Sequence, residues 1–154
     1  MEFIEALEVP PLLFAVHCTR KSRNLGTLVR TASACNAQML LIIGENKVGF
    51  HGAFGSNTRI SILHFNTWPE AISFLRNKRN AVHFYGVSPP GQENGGCVSL
   101  KSCAFPRLLE GESACFVVGA RGEPLSAEIL QFLDIEIKVD FPVPKYARML
   151  QFEE

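Results

Sequence analysis

The chain has 154 residues, enough for one domain with a real hydrophobic core. Fifteen basic residues balance fifteen acidic ones, which argues against a wholly basic, sequence-blind nucleic-acid coat. The five cysteines are odd in number and contain no C-x-x-C pair, so they fit neither a disulfide framework nor a zinc site and point to a reducing compartment.

Residues Met1 to Glu8 read as a short helix or arm, stopped by Pro10-Pro11. Glu2, Glu5 and Glu8 stand among its apolar residues without a basic segment, so it is not a signal peptide. Leu12 to Val16 has the length and composition of a buried strand. A polar loop follows and ends at Asn24, whose side-chain oxygen can cap the first turn of a helix. In that helix Leu25, Leu28, Val29, Ala32 and Cys35 recur at three- and four-residue spacing and form one apolar face. Arg30 lies off that face with Thr27 and Ser33. Cys35 and Cys115 sit in apolar contexts and are expected to be buried thiols. A strand from Gln38 to Ile43 comes next, then a Gly-rich polar loop from Gly44 to Asn57.

Ile60 to Phe65 is the third expected strand. Thr67-Trp68-Pro69-Glu70 has capping-box spacing with Pro in the first turn, which predicts a helix to about Asn77, buried through Ala71, Ile72, Phe74 and Leu75. Ala81 to Val87 is the fourth strand. Ser88-Pro89-Pro90-Gly91 ends it, and the loop to Gly96 is the segment most expected to flex. Ala114 to Val118 is the fifth strand, Gly119-Ala120-Arg121-Gly122 a tight turn, and Leu125 to Leu133 a helix. Ile135, Ile137 and Val139 alternate as a sixth strand. The alternation predicts an α/β domain: a mostly parallel six-stranded sheet with helices on both faces. Ligands of such sheets bind beyond the strand carboxyl ends, which gathers Val87, Ser88, Gly119 and Val139 around one expected pocket. No apolar run approaches the ~20 residues of a membrane helix. The expectation is an intracellular protein, cytoplasmic or organellar, with no membrane or metal partner.

Several chemistries leave no trace. There is no P-loop, no G-x-G-x-x-G, no G-x-S-x-G elbow and no H-E-x-x-H. His17, His51, His64 and His83 are scattered and read as structural histidines. The distribution of charge is more informative. No acidic residue occurs between Glu8 and Glu45, yet Arg20, Lys21, Arg23 and Arg30 fall there; the stretch from Glu110 to Asp140 is mostly acidic. A cationic loop feeding a helix N-terminus is a ready site for phosphate.

Asn24-x-Gly26, then Arg30-Thr31-Ala32, then a strand, resembles the first motif of the SpoU (TrmH-like) branch of the SPOUT methyltransferases. These are RNA 2′-O-ribose methyltransferases with a trefoil-knotted α/β fold, and the resemblance runs from about Leu12 to Val139. It implies a single SpoU-like domain over residues 1–154, S-adenosylmethionine as cofactor, a tRNA or rRNA substrate and a homodimer. It also implies that Arg30 is catalytic, that Asn24 orders the loop, and that Arg20, Lys21, Arg23 and Asn24 bind RNA. Val87, Ser88, Gly119 and Val139 would line the cofactor pocket. The chemistry asks little of the protein: methyl and acceptor oxygen must be held in line, and the weakly acidic ribose hydroxyl must lose its proton, which a nearby cation favours.

Two departures stand beside the resemblance. In Val117-Val118-Gly119-Ala120-Arg121-Gly122-Glu123-Pro124-Leu125, Gly119 matches the family glycine, but Arg121 occupies the glutamate position and Glu123 is two residues off register. The stretch from Ile137 to Leu150 lacks the serine and asparagine of the family's Ser-Leu-Asn-Val, and the last helix is expected to be short or missing, so completion of the knot is open. The alternative reading is therefore a non-catalytic RNA-binding protein that keeps the fold.

Overall fold

The apolar run after Pro10-Pro11 forms β1 (Leu12–Cys18), followed by α1 (Leu25–Ala34) and β2 (Met39–Gly44). Then come β3 (Ser61–Phe65), α2 (Trp68–Lys78), β4 (Ala81–Ser88) and the two-residue β5 (Val98–Ser99). β6 (Glu112–Val118), α3 (Ala127–Leu130) and β7 (Ile135–Lys138) complete the described elements. The structure is a computed structural model that describes residues 7–18, 25–44, 55, 59–89, 96–119 and 124–139. Every strand pair is parallel, in the order β3-β2-β1-β6-β4-β7-β5. This is the expected α/β sheet with one strand more than the six read from the sequence. The addition, β5, is two residues long and pairs only with β7, too short to show any alternation.

Side-chain alternation divides the core between the two faces of the sheet. On one, Leu13, Ala15, Leu41, Ile43, Phe84 and Val117 pack beneath Trp68, Ala71 and Leu75 of α2 and Ile129 of α3. On the other, Val16, Leu40 and Ile42 pack beneath Leu25, Val29 and Ala32 of α1. The rest of that second face, around Tyr85, Ala114 and Ile137, is covered by Cys103 and Leu108. A parallel sheet covered on both faces needs apolar residues on both, and the near-continuous burial of β2 shows it. Leu12, at the amino end of β1, departs from the buried strand expected there and is 38 % exposed.

Three local expectations change. The α1 face includes Leu25, Gly26, Val29 and Ala32, but Cys35 is exposed. Asn36 takes a left-handed φ of 61°, the Ala37 amide donates to the Ala32 carbonyl at 2.9 Å, and the Asn36 amide donates to that of Ser33 at 3.0 Å. This is a Schellman close, which turns the chain off the helix axis at Cys35 before the next apolar position is reached. α2 starts where the capping box predicts, but the Thr67 side chain makes no capping bond. Pro69 has no N–H to offer it, which removes one of the two amides such a cap uses. The helix expected from Leu125 to Leu133 is only α3. Ser126 caps it by accepting from the Ile129 amide at 3.3 Å. It stops because the Asp134 amide donates to the Phe84 carbonyl at 2.9 Å while the Asp134 carboxylate accepts from the Phe84 amide at 2.7 Å, drawing the chain back onto β4.

β6 and β7 flank β4, so the segment joining them passes across β4. It does so over Gly86. A Cβ there would meet the Cδ1 atoms of both Leu133 and Leu125, the latter at 2.7 Å. Gly86→Ala must push these leucines aside within a filled core, and we expect a loss of about 1–3 kcal/mol in urea unfolding; unchanged stability would show that the leucines have room to move.

Candidate functional site

The registers bring three strand ends into one row. Val87 of β4 lies opposite both Val118 of β6 and Ile137 of β7, and Ser88 lies opposite Lys138. Gly119 and Val139 are the next residues after those strands. The structure therefore brings Val87, Ser88, Gly119 and Val139 together at the carboxyl edge, where open parallel sheets bind ligands. Ser88 is buried and the other three are half-buried. Val139 stands just past β7 and not within it.

A carboxylate sits beneath this row. Ser88 Oγ donates to Glu136 Oε1, and both residues are buried. Glu136 falls between Ile135 and Ile137 of β7. It is buried because the face it shares with Gly86 and Ser88 is covered there by Leu125 and Leu133. Only a serine at the end of the neighbouring strand could have hinted at such a pair.

β1 adjoins this group through β6, with Val16 opposite Val118. The loop that carries Arg20, Lys21, Arg23 and Asn24 leaves the same end of β1, but those four residues lie outside the described ones, as does Arg121. Of the loop to Gly96 read from the sequence as flexible, residues 90–95 are outside them as well. Arg30 is described: it is exposed on the solvent side of α1 with Thr27, off the buried stripe. α1 packs on the face of the sheet opposite α2 and α3.

The histidines divide. His64 Nε2 bonds the Gly44 carbonyl at 2.6 Å, and His83 Nε2 bonds the Glu112 carboxylate at 2.9 Å, both structural roles. His17, by contrast, has a buried Nδ1 without a partner. His51 lies outside the described residues. Burial alone pushes the Cys115 thiol well above its ordinary value, so that thiol is inert. The Tyr85 hydroxyl is also raised, by burial first and then by Asp134 and Cys103. Among the described residues no group of His, Cys, Asp or Glu could hold a metal ion, and no helix is long and apolar enough to cross a membrane.

Two of the open cavities among the described residues lie elsewhere. One of about 540 Å³, lined by Ser33, Asn36, Gln38, Arg59 and Ser61, is at the amino ends of β2 and β3, the wrong end of the sheet for a ligand of this fold. The other, about 320 Å³, is a cleft between α2 and α3 walled by Trp68, Ile72, Arg76, Glu128, Gln131 and Phe132.

The model of the SpoU rRNA methylase family matches residues 11–147. The chain belongs to that family. No curated protein matches it by sequence. Among solved structures, the AdoMet-bound rRNA methyltransferase from Sinorhizobium meliloti superposes with a TM-score of 0.71 at 17% identity, over 92% of this chain and 52% of its own. The A. aeolicus TrmH/SpoU tRNA modifying enzyme gives 0.68 at 16% identity, over 89% of this chain and 66% of its own. The SpoU methyltransferase AviRb from Streptomyces viridochromogenes, in complex with AdoMet, gives 0.71 at 14% identity, over 92% of this chain and 53% of its own. At these identities the likeness is one of fold. This SpoU-family chain spans between about half and two thirds of the length of these structures.

The Ser88–Glu136 bond is a side-chain contact that ties the end of β4 to β7. Ser88→Ala should cost about 1–3 kcal/mol by leaving a buried carboxylate short of a donor. Urea unfolding measures it, and Ser88→Thr, which keeps the hydroxyl, should recover part of the loss.

Proposed function

We propose that this SpoU-family chain is an S-adenosylmethionine-dependent RNA 2′-O-ribose methyltransferase. The observation that carries the reading is the meeting of the β4, β6 and β7 ends in one row, in a chain that matches its family from residue 11 to residue 147. The residues of that row suit the cofactor. Gly119 has no Cβ to keep a nucleoside off the backbone, Ser88 and Glu136 hold the end of β4 in place, and Val87 and Val139 offer apolar contacts. When bound, S-adenosylmethionine supplies a methyl group already activated by its sulfonium.

The chain's own residues do the rest. Arg20, Lys21, Arg23 and Asn24 bind the RNA backbone. Arg30 presents a planar guanidinium to the acceptor ribose or its phosphate, orienting the 2′-hydroxyl and favouring its ionised form. Residues 1–154 act as one SpoU-like domain. The working form is a homodimer in which one subunit's first-motif loop stands near the cofactor row of the other, and the protein works inside the cell. Arg121, where the family has glutamate, and the missing serine and asparagine of the third motif favour a second reading, an RNA-binding protein that has lost the chemistry.

Calorimetry with S-adenosylmethionine tests the cofactor, and Gly119→Val should abolish binding while leaving far-UV circular dichroism intact. Undiminished binding in that variant would remove the pocket. For the RNA side, Arg20→Ala and Arg23→Ala should each flatten the salt dependence of RNA binding by about one unit of slope. Arg30→Lys keeps the charge but not the fork, so it should bind RNA nearly as the wild type does and lose most methyl transfer. An Arg30→Ala variant with normal binding and normal transfer would make Arg30 a solvated helix charge.

A further inference from the structure

Three buried side-chain nitrogens among the described residues have no hydrogen-bond partner: His17 Nδ1, Trp68 Nε1 and Arg79 Nε. Arg79 is at the amino end of β4, where its Nη2 donates to the Glu112 carbonyl at 2.5 Å. The other two are together at the opposite end. The rings of His17 and Trp68 are 18° from parallel with centroids 6.5 Å apart. Phe132 backs the indole at 5.3 Å. Trp68 therefore sits between the end of β1 and the segment that crosses β4, with 3 % of its surface exposed.

An indole N–H can only donate, and a buried donor with no acceptor is costly. Glu128 and Gln131 wall the same cleft as Trp68, but neither bonds its N–H. The β1–β6 register sets Val16 opposite Val118. Continued by one residue, it sets His17 beside Gly119. Both stand on the α2 side of the sheet, since His17 follows Leu13 and Ala15 in alternation and Gly119 follows Val117. Gly119 adds no side chain there. The two unmet nitrogens thus border the same row of strand ends as Val87 and Ser88, from the β1 side, and no motif draws attention to them.

We propose that His17 and Trp68 form a polar seat in the ligand site, receiving a hydroxyl or carboxylate oxygen of bound S-adenosylmethionine. The inference rests on the cofactor reading above. Trp68 donates to that oxygen. His17 Nδ1 donates to it if it is a carboxylate oxygen, or accepts from it if it is a hydroxyl. Binding then satisfies what the free protein leaves unsatisfied.

The test uses the fact that Trp68 is the single tryptophan of the chain. S-adenosylmethionine is titrated into the wild-type protein by calorimetry and, in parallel, against tryptophan emission. The emission should change along the calorimetric isotherm. Trp68→Phe keeps an aromatic ring but loses the donor together with part of the buried ring, so its free form should melt somewhat lower than the wild type, while its affinity should fall about five- to tenfold, the worth of one hydrogen bond. His17→Phe should fall by a similar factor, and decides the matter should Trp68→Phe not fold. Wild-type affinity in the variant overturns the seat whatever the emission does, and so does an unchanged emission at calorimetric saturation. A wild type that binds no S-adenosylmethionine at all removes the cofactor reading, and the seat with it.

Discussion

The passage of residues 125–133 over Gly86 is the constraint from which the arrangement of the site follows. β6 and β7 are consecutive along this part of the chain, yet β4 lies between them. The connection can lie close to β4 only where β4 offers no side chain, and Leu125 and Leu133 occupy the space a Cβ would take. Asp134 then ties the end of the connection to Phe84 through two hydrogen bonds. With β6, β4 and β7 held side by side, the loops that follow them leave from adjacent points. The candidate pocket is a consequence of that crossing, and Ser88 with Glu136 fastens its middle strand.

Much of this was legible in the residues, for identifiable reasons. β1 to β4, α1 and α2 have apolar runs or three- and four-residue periods long enough to read, and Thr67-Trp68-Pro69-Glu70 marks a helix start even though the threonine bond is not made. The three strand ends could be named because the carboxyl-end rule needs only the strands and their direction. What escaped depends on contacts distant in sequence. The early end of α3 is set by Phe84, some fifty residues back, and the exposure of Cys35 by the left-handed turn at Asn36. The burial of Glu136 follows from its place opposite Gly86, on the face that Leu125 and Leu133 cover there. The unmet nitrogens of His17 and Trp68 could not be foreseen, since a histidine beside a strand is usually satisfied.

The two halves of the site stand on different footing. The row at the β4, β6 and β7 ends is given by backbone register and does not depend on side-chain choice. The basic loop after β1 is given by composition: Arg20, Lys21 and Arg23 in a stretch without a carboxylate, joined to a helix that adds the exposed Arg30. Neither half is specific alone. Their meeting through β1 and β6, in a chain matching the SpoU rRNA methylase family over residues 11–147, is what the proposal of phosphate binding beside methyl transfer rests on. Against it stands Arg121, which puts a cation where the family has a carboxylate, and this is the point at which an active enzyme and a binding protein of the same fold diverge.

The most direct measurement is transfer itself. The protein is incubated with methyl-labelled S-adenosylmethionine and total cellular RNA, the RNA is digested to nucleosides, and the labelled nucleoside is identified. Label is expected in a 2′-O-methylated nucleoside, lost when heat-denatured protein is used. Label in a base would contradict the ribose chemistry, and RNA that is bound but never labelled would contradict the enzyme and leave the binding protein.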